Sequence, residues 1–145
     1  MIPIYRVSCV LEGSVEYVAE KCCNPADVAR VARAVIPAGE EREYFIAIHM
    51  NAKNELKGVQ VVSVGTLNAS LVHPREVFRA AIVAGAASII LAHNHPSGDP
   101  EPSGDDLTVT RRMVETGNVV GIQVLDSMIL GSGEKYVSLE ERRML

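Results

Sequence analysis

Two histidines sit two residues apart at the end of an apolar run, where Ser88-Ile-Ile-Leu-Ala92 leads into His93-Asn-His95. Side chains alternate faces along a strand, so His93 and His95 can point the same way if the extension continues. Asp106 follows His95 by eleven residues and falls in the first turn of a helix expected to begin near Ser103. The loop between them is long enough to fold that helix start back to the strand end. Two imidazoles and one carboxylate make three corners of a tetrahedral metal site and leave the fourth to water, the pattern of catalytic rather than structural zinc. Zinc held in this way can bring the pKa of its water to about 7 and polarise a carbonyl. Spacing alone leaves other readings open. Two histidines two apart can be solvated loop residues, and Ser103-Gly-Asp-Asp106 also reads as a capping box with Ser103 as N-cap. Ser103 can serve both readings, capping the helix while its hydroxyl faces the cleft.

The elements that would position these residues follow from periodicity and turn chemistry. Ile2 to Leu11, rich in Ile, Val and Tyr, is expected as a strand. Asn24-Pro25 starts a helix, with Asn as N-cap and Pro in the first turn, and Val28, Val31, Ala32 and Val35 give it an apolar face to about Ile36. Pro37-Ala38-Gly39 stops it. Glu43 to Met50 and Leu56 to Val64 flank a polar turn and read as a β-hairpin. His73-Pro74 opens a second helix that ends near Gly85. The wholly apolar Ser88 to Ala92 is expected as a strand buried on both faces, which delivers both histidines to its carboxyl end, where α/β proteins place their sites. A helix from about Ser103 to Glu115, a strand from Val119 to Leu130, a Gly131-Ser132-Gly133 turn and a short strand Tyr136 to Ser138 complete the chain. The expected fold class is mixed α and β, with helices against a central sheet.

Composition sets the outer bounds. The 145 residues suit one domain, and 48% apolar with 22% charged residues is the make-up of a globular protein. With no Trp and 4% aromatics, the core must be built from Val, Ile, Leu and Ala. A net charge of -4 argues against nucleic-acid binding through a broadly basic surface. Three cysteines, Cys9, Cys22 and Cys23, fit neither a disulfide framework nor a zinc ribbon and are expected as reduced thiols. Met1 to Leu11 lacks the make-up of a signal peptide, and Ala80 to Ala92 is too short to span a bilayer, so a cytoplasmic location and no membrane partner are expected.

The string His93-Asn-His-Pro-Ser-Gly-Asp-Pro-Glu-Pro-Ser-Gly-Asp-Asp106 resembles the JAMM metalloprotease signature, H-x-H-P followed by S-x-x-D with a glutamate upstream. Its fuller form resembles the RadC-like branch, bacterial proteins traditionally labelled DNA repair. The likeness extends to Asn68 through Glu76, Gly121 through Asp126 and Tyr136 through Glu140, and covers about the last 105 residues. It implies an MPN/JAB, cytidine-deaminase-like architecture with helices on a curved central sheet. It also implies a single domain over 1–145, with a strand and helix in 1–40 ahead of a core over 41–145, in a short form lacking the N-terminal helix-hairpin-helix region of longer relatives. Carried onto this chain, the resemblance makes His93, His95 and Asp106 the ligands of one Zn2+ per chain. Ser103 matches the serine that helps hold the oxyanion. Glu43 in Arg-Glu-Tyr-Phe-Ile matches the general base best, with Glu40 and Glu41 as rivals.

The function so implied is a zinc-dependent metallopeptidase or isopeptidase that cleaves an amide bond in a peptide or protein substrate. The alternative is a DNA-repair accessory or nuclease, for which the acidic balance gives little electrostatic help. A metal-stabilised interaction domain is a third reading. Edge strands leave room for a homodimer. Other reactive residues take structural readings: His49 as a strand residue, His73 as a helix-boundary residue, Arg111 and Arg112 as solvated charges, Cys22 and Cys23 as inert thiols.

Overall fold

The computed structural model describes residues 1–16, 22, 24–65 and 72–145. Among them the elements run α1 (Pro25–Val35), β1 (Glu43–Met50), β2 (Leu56–Gly65), α2 (Pro74–Val83), β3 (Ser88–Asn94), α3 (Gly104–Val120), β4 (Gln123–Leu130) and β5 (Tyr136–Ser138). The strands form one sheet in the order β2-β1-β3-β4-β5. Only β3 and β4 run parallel, joined by the α3 crossover, and the other neighbours are antiparallel. The expected mixed α/β architecture, helices packed on a central sheet, is the one that forms.

Alternation along the central strands divides the core into two layers. On one face α1 lays Val28, Ala29, Val31 and Ala32 against Ile46, Ile48 and Met50 of β1, Ile90 and Ala92 of β3, and Met128 and Leu130 of β4. On the other, Val77, Phe78 and Ala81 of α2 and Val109 and Met113 of α3 cover Phe45, Ala47, Ile89 and Leu91. All seven residues of β3 are buried, which is why its sequence is a continuous apolar run rather than an alternating one. Truncating Leu91, wholly buried at its centre, is expected to cost about 2–5 kcal/mol through lost burial and the cavity left behind. A register shift where Ile89 and Ile90 face Val124 and Asp126 leaves Leu125 as the extra residue of β4. That bulge turns Val124 to the α3 layer while Met128 and Leu130 face α1.

Helix starts follow their sequence signals. The Asn24 side chain accepts from the Asp27 N–H at the head of α1, and Pro25 occupies the first turn. His73 precedes α2 without a side-chain cap bond, as befits a boundary residue.

Two expectations fail. Ile2 to Leu11 forms no strand: residues 1–16 adopt no regular secondary structure and every one is exposed. Strand propensity is not enough without a ladder to take up the backbone N–H and C=O groups. The second failure is Val119 to Leu130, whose first residues belong to the helix, not the strand. Helix α3 passes Glu115, runs to Val120 and ends at Gly121, whose φ of 80° is left-handed. The N–H groups of Gly121 and Ile122 both close on the Gly117 carbonyl, at 2.9 and 3.0 Å. The Gly121 stop signal therefore outweighs the strand preference of the exposed Val119-Val120 pair. Gly117 is needed there because a Cβ would come within 2.4 Å of the Ile122 carbonyl oxygen.

Of the thiols, Cys22 is buried in the α1 layer and Cys9 is exposed, neither in a disulfide. Cys23, and Asn68 to Leu71 of the resembling stretch, lie outside the described residues. Among the described residues no helix is long and apolar enough to cross a membrane.

Candidate metal centre

The β3 ladder continues one bond past its last residue, with the His95 N–H donating to the Leu130 carbonyl at 2.9 Å. His95 therefore stays extended and shares a face with His93, the face covered by α3. Pro96-Ser-Gly98 then turns, and the Gly98 N–H closes on the His95 carbonyl at 2.9 Å. The Gly98 carbonyl in turn accepts from the Ser132 N–H. A Cβ on Gly131 would approach that carbonyl oxygen to 2.5 Å, so the glycine in the β4–β5 turn lets the loop seat this closely. The chain returns to the strand end at Ser103, which caps α3.

The cap is reciprocal. Ser103 Oγ accepts from the Asp106 N–H at 3.1 Å, and Asp106 Oδ2 accepts from the Ser103 N–H at 2.8 Å. The capping-box reading of Ser103-x-x-Asp106 thus holds, and it holds together with the cluster reading. Asp106 Oδ1 lies 3.0 Å from His93 Nε2, Oδ2 lies 2.9 Å from His95 Nε2, and the two Nε2 atoms are 3.2 Å apart. The ligand atoms of the three residues lie within 4.8 Å of one another. His93 and Asp106 are buried, at 1% and 3% exposure, and His95 is partly open. The Phe45 ring stacks on His93, centroids 6.2 Å apart, and fixes its plane.

Burial would raise the Asp106 carboxyl, but the hydrogen bonds from His93 and His95 outweigh it and hold the group well below the usual carboxylate range. The hydrogen bond His95 makes to the Asp106 carboxylate raises its pKa against the opposing effect of its own burial.

The donor set fits a cation. His95 Nδ1 sits 2.8 Å from the Asp99 carbonyl oxygen, which can only accept, so Nδ1 carries a proton. In a neutral imidazole Nε2 then presents a lone pair, and it faces Asp106 Oδ2, another acceptor. Either His95 is doubly protonated or a positive ion lies among the converging atoms. A histidine whose second ring N–H rests on a backbone carbonyl is the usual arrangement around a bound metal.

Glu43 opens β1. Phe45 pairs with His93 in an unbroken antiparallel register, so extending the register by two residues sets Glu43 opposite His95. Glu43 also shares the α3 face with Phe45 and Ala47, and its charge acts on His95. Its rivals are placed differently. Glu40 is engaged by Arg42, Nε to Oε1 2.9 Å, and Glu41 is exposed.

One residue that the sequence reading passed over, Asn94, ties these strands together. Its Oδ1 accepts from the Tyr44 N–H at 2.7 Å and its Nδ2 donates to the Arg42 carbonyl at 3.0 Å. It thus grips the backbone on both sides of Glu43. The available signal was a carboxamide in an otherwise apolar buried strand.

A cavity of about 580 Å³ opens on the α1 side of His95, bordered by Ile36, Pro37, Glu41, Asn94, Pro96 and Gly131, and its lining includes none of His93, Asp106, Ser103 or Glu43. Away from it, His49 lies buried in mid-strand, its pKa lowered by burial and by Lys57, as a structural histidine would be. Arg111 is exposed.

The RadC-like JAB domain profile matches residues 22–144. Among curated proteins, the chain is 44% identical over 138 residues to a UPF0758 protein of Methanosarcina acetivorans, covering 95% of this chain and 59% of that protein. It is 56% identical over 122 residues to a UPF0758 protein of Moorella thermoacetica, covering 84% of this chain and 52% of that one. A UPF0758 protein of Rubrobacter xylanophilus is 52% identical over 122 residues, with the same shares. The chain thus spans between half and three-fifths of the length of these relatives.

Proposed function

The chain belongs to the RadC-like JAB domain family, and from that premise we propose that it is a zinc-dependent hydrolase of the JAMM type, cutting an amide bond in a peptide or protein. The observation that carries this reading is the convergence of two Nε2 atoms and one buried carboxylate, with His95 Nδ1 already committed to the Asp99 carbonyl. His93, His95 and Asp106 would hold the metal. When bound, zinc supplies the Lewis acidity that activates water and polarises a carbonyl.

The remaining work falls to the chain's own residues. Glu43, across from His95, takes a proton from the attacking water and returns it to the departing amine. The Ser103 hydroxyl accepts from the Asp106 N–H through its oxygen and keeps its hydrogen to donate to a developing oxyanion. Asn94 fixes the β1 backbone on either side of Glu43 and so sets the distance over which that proton moves.

The DNA-directed alternative draws no support from charge. The cavity on the α1 side of His95 carries Glu40, Glu41 and Glu134 against Arg33, an unfavourable lining for a phosphate backbone.

The test is hydrolysis of an unstructured peptide library by the zinc-loaded protein, with new amino termini read by mass spectrometry. Glu43→Gln should lower turnover about 10²–10⁴-fold while its zinc content stays at the native level. An absence of cleavage, or cleavage that survives both Glu43→Gln and zinc removal, would contradict the proposal.

A further inference from the structure

Two unsatisfied features of the molecule match each other. The first is the outer edge of β2, ten residues long and last in the sheet. An edge of this length presents a row of backbone donors and acceptors, and natural proteins blunt such edges with charge, proline or brevity. Residues 56–65, Leu-Lys-Gly-Val-Gln-Val-Val-Ser-Val-Gly, contain one charge and no proline. The opposite edge, β5, is three residues long with Val137 and Ser138 buried.

Side chains on β2 sharpen the point. Val59, Val61 and Val64 pair with Ile48, Ile46 and Tyr44, so all three lie on the α1 face of the sheet. The irregularity between Phe45 and Ile46 is what brings Val64 onto the same face as Val61. Helix α1 covers β1, β3 and β4 there but stops short of the rim, and Val61 and Val64 stay 45% and 42% exposed.

The second feature is the amino-terminal arm. Ile4, Tyr5, Val7 and Leu11 are 97%, 82%, 69% and 87% exposed. Read with a period of two, the arm has one face of Pro3, Tyr5, Val7, Cys9 and Leu11, apolar throughout, and another of Ile2, Ile4, Arg6, Ser8 and Val10. It is strand-forming sequence without a ladder. Pro3, near its start, is compatible with an edge position. The chain enters the fold at Cys22, whose N–H donates to the Asn54 carbonyl at 3.2 Å, in the turn that leads into β2. Ten residues lie between Leu11 and Cys22, eleven steps with a reach of about 36 Å when extended, comparable with the roughly 33 Å length of a ten-residue strand.

The geometry points to a second copy of this chain as the occupant of the β2 edge: residues 2–11 of one copy add a strand to β2 of the other, and the exchange is reciprocal. In the single chain the arm lies exposed although its anchor is beside β2, and among the described residues none adds a strand to the outer β2 edge. A two-fold arrangement fills both edges with the same contact. Main-chain bonds to β2 supply the ladder, and the Pro3, Tyr5, Val7, Cys9, Leu11 face lies beside the Val59, Val61, Val64 row, where cross-strand apolar pairs stabilise a sheet. This association is independent of the metal reading.

The experiment combines light scattering with amide exchange on the whole chain. The protein should run at twice its 15.6 kDa mass, and amides of residues 4–10 should exchange at least about tenfold more slowly in the dimer than after dilution to monomer. Deleting residues 2–11, every one of which is exposed and outside both core layers, should give a folded monomer. Val61→Lys with Val64→Lys, both on exposed positions, should weaken the dimer while keeping the native circular dichroism. A chain that is monomeric at every concentration, a dimer that survives the deletion, or arm protection that persists after dilution would each overturn the proposal.

Discussion

Asp106 and Asp126 are both buried carboxylates, at 3% and 6% exposure, and the protein treats them oppositely. Asp126 is surrounded by donors: its Oδ1 accepts from the Ser127 and Glu140 N–H groups at 2.7 and 3.0 Å, and its Oδ2 from the Ser138 hydroxyl at 2.6 Å. Burial still pushes its pKa up, with those bonds only partly opposing. Asp106 meets one backbone N–H and two imidazole nitrogens, and its pKa is driven down. A carboxylate saturated by neutral donors ties β4 to β5 and the C-terminal segment. One that meets ring nitrogens, one of which has its other N–H already engaged, makes a place for a cation. Burial alone does not distinguish structure from chemistry. The identity of the partner atoms does.

The same substitution at each position should break this contrast cleanly. Asp106→Asn keeps an acceptor for the Ser103 N–H but removes a charged ligand, and should weaken zinc binding by more than about a hundredfold, beyond the loss expected for an outer partner. Calorimetric titration with zinc reads it. Asp126→Asn turns an amide NH2 toward groups that donate, and should cost about 1–3 kcal/mol in denaturant unfolding with zinc affinity unchanged. Loss of zinc in Asp126→Asn, or its retention in Asp106→Asn, would contradict these separate roles of the two carboxylates.

The smallest effect is one of pH, in metal-stripped protein. His95 is raised from an ordinary value of 6.5, so its pairing with Asp106 stabilises the fold fully below that value and fades as pH rises through the raised one. Asp106 is lowered from 3.8, so its share is present above that value and fades as pH falls toward the lowered one. Melting temperatures of native and His95→Gln protein should therefore differ most between those two ordinary values and converge above neutrality. A difference that stays constant across the range would mean that the pair does not titrate with folding.

How far all this was legible in the sequence depends on distance along the chain. His93, His95 and Asp106 lie within fourteen residues, and strand alternation plus a helix-start signal suffice to bring them together. The capping box was readable for the same reason. Asn94 was passed over because its role lies fifty residues away, at Tyr44. Asp126 escaped notice because Ser138 and Glu140 reach it only through the pairing of β4 with β5. The two secondary-structure errors share a cause. In Val119-Val120 and in Ile2 to Leu11, β-branched residues suggested strands, but a strand needs a neighbour. Gly121 kept the first within a helix, and the second has no ladder within its own chain.

The most direct test of the central claim is elemental analysis of the purified native protein beside His95→Ala and Asp126→Asn, each incubated with zinc at neutral pH and then dialysed. The native protein and Asp126→Asn should each hold about one zinc per chain, and His95→Ala none, because a two-ligand remnant cannot complete a tetrahedral site. A native protein that emerges without zinc, or equal zinc in all three, would contradict it.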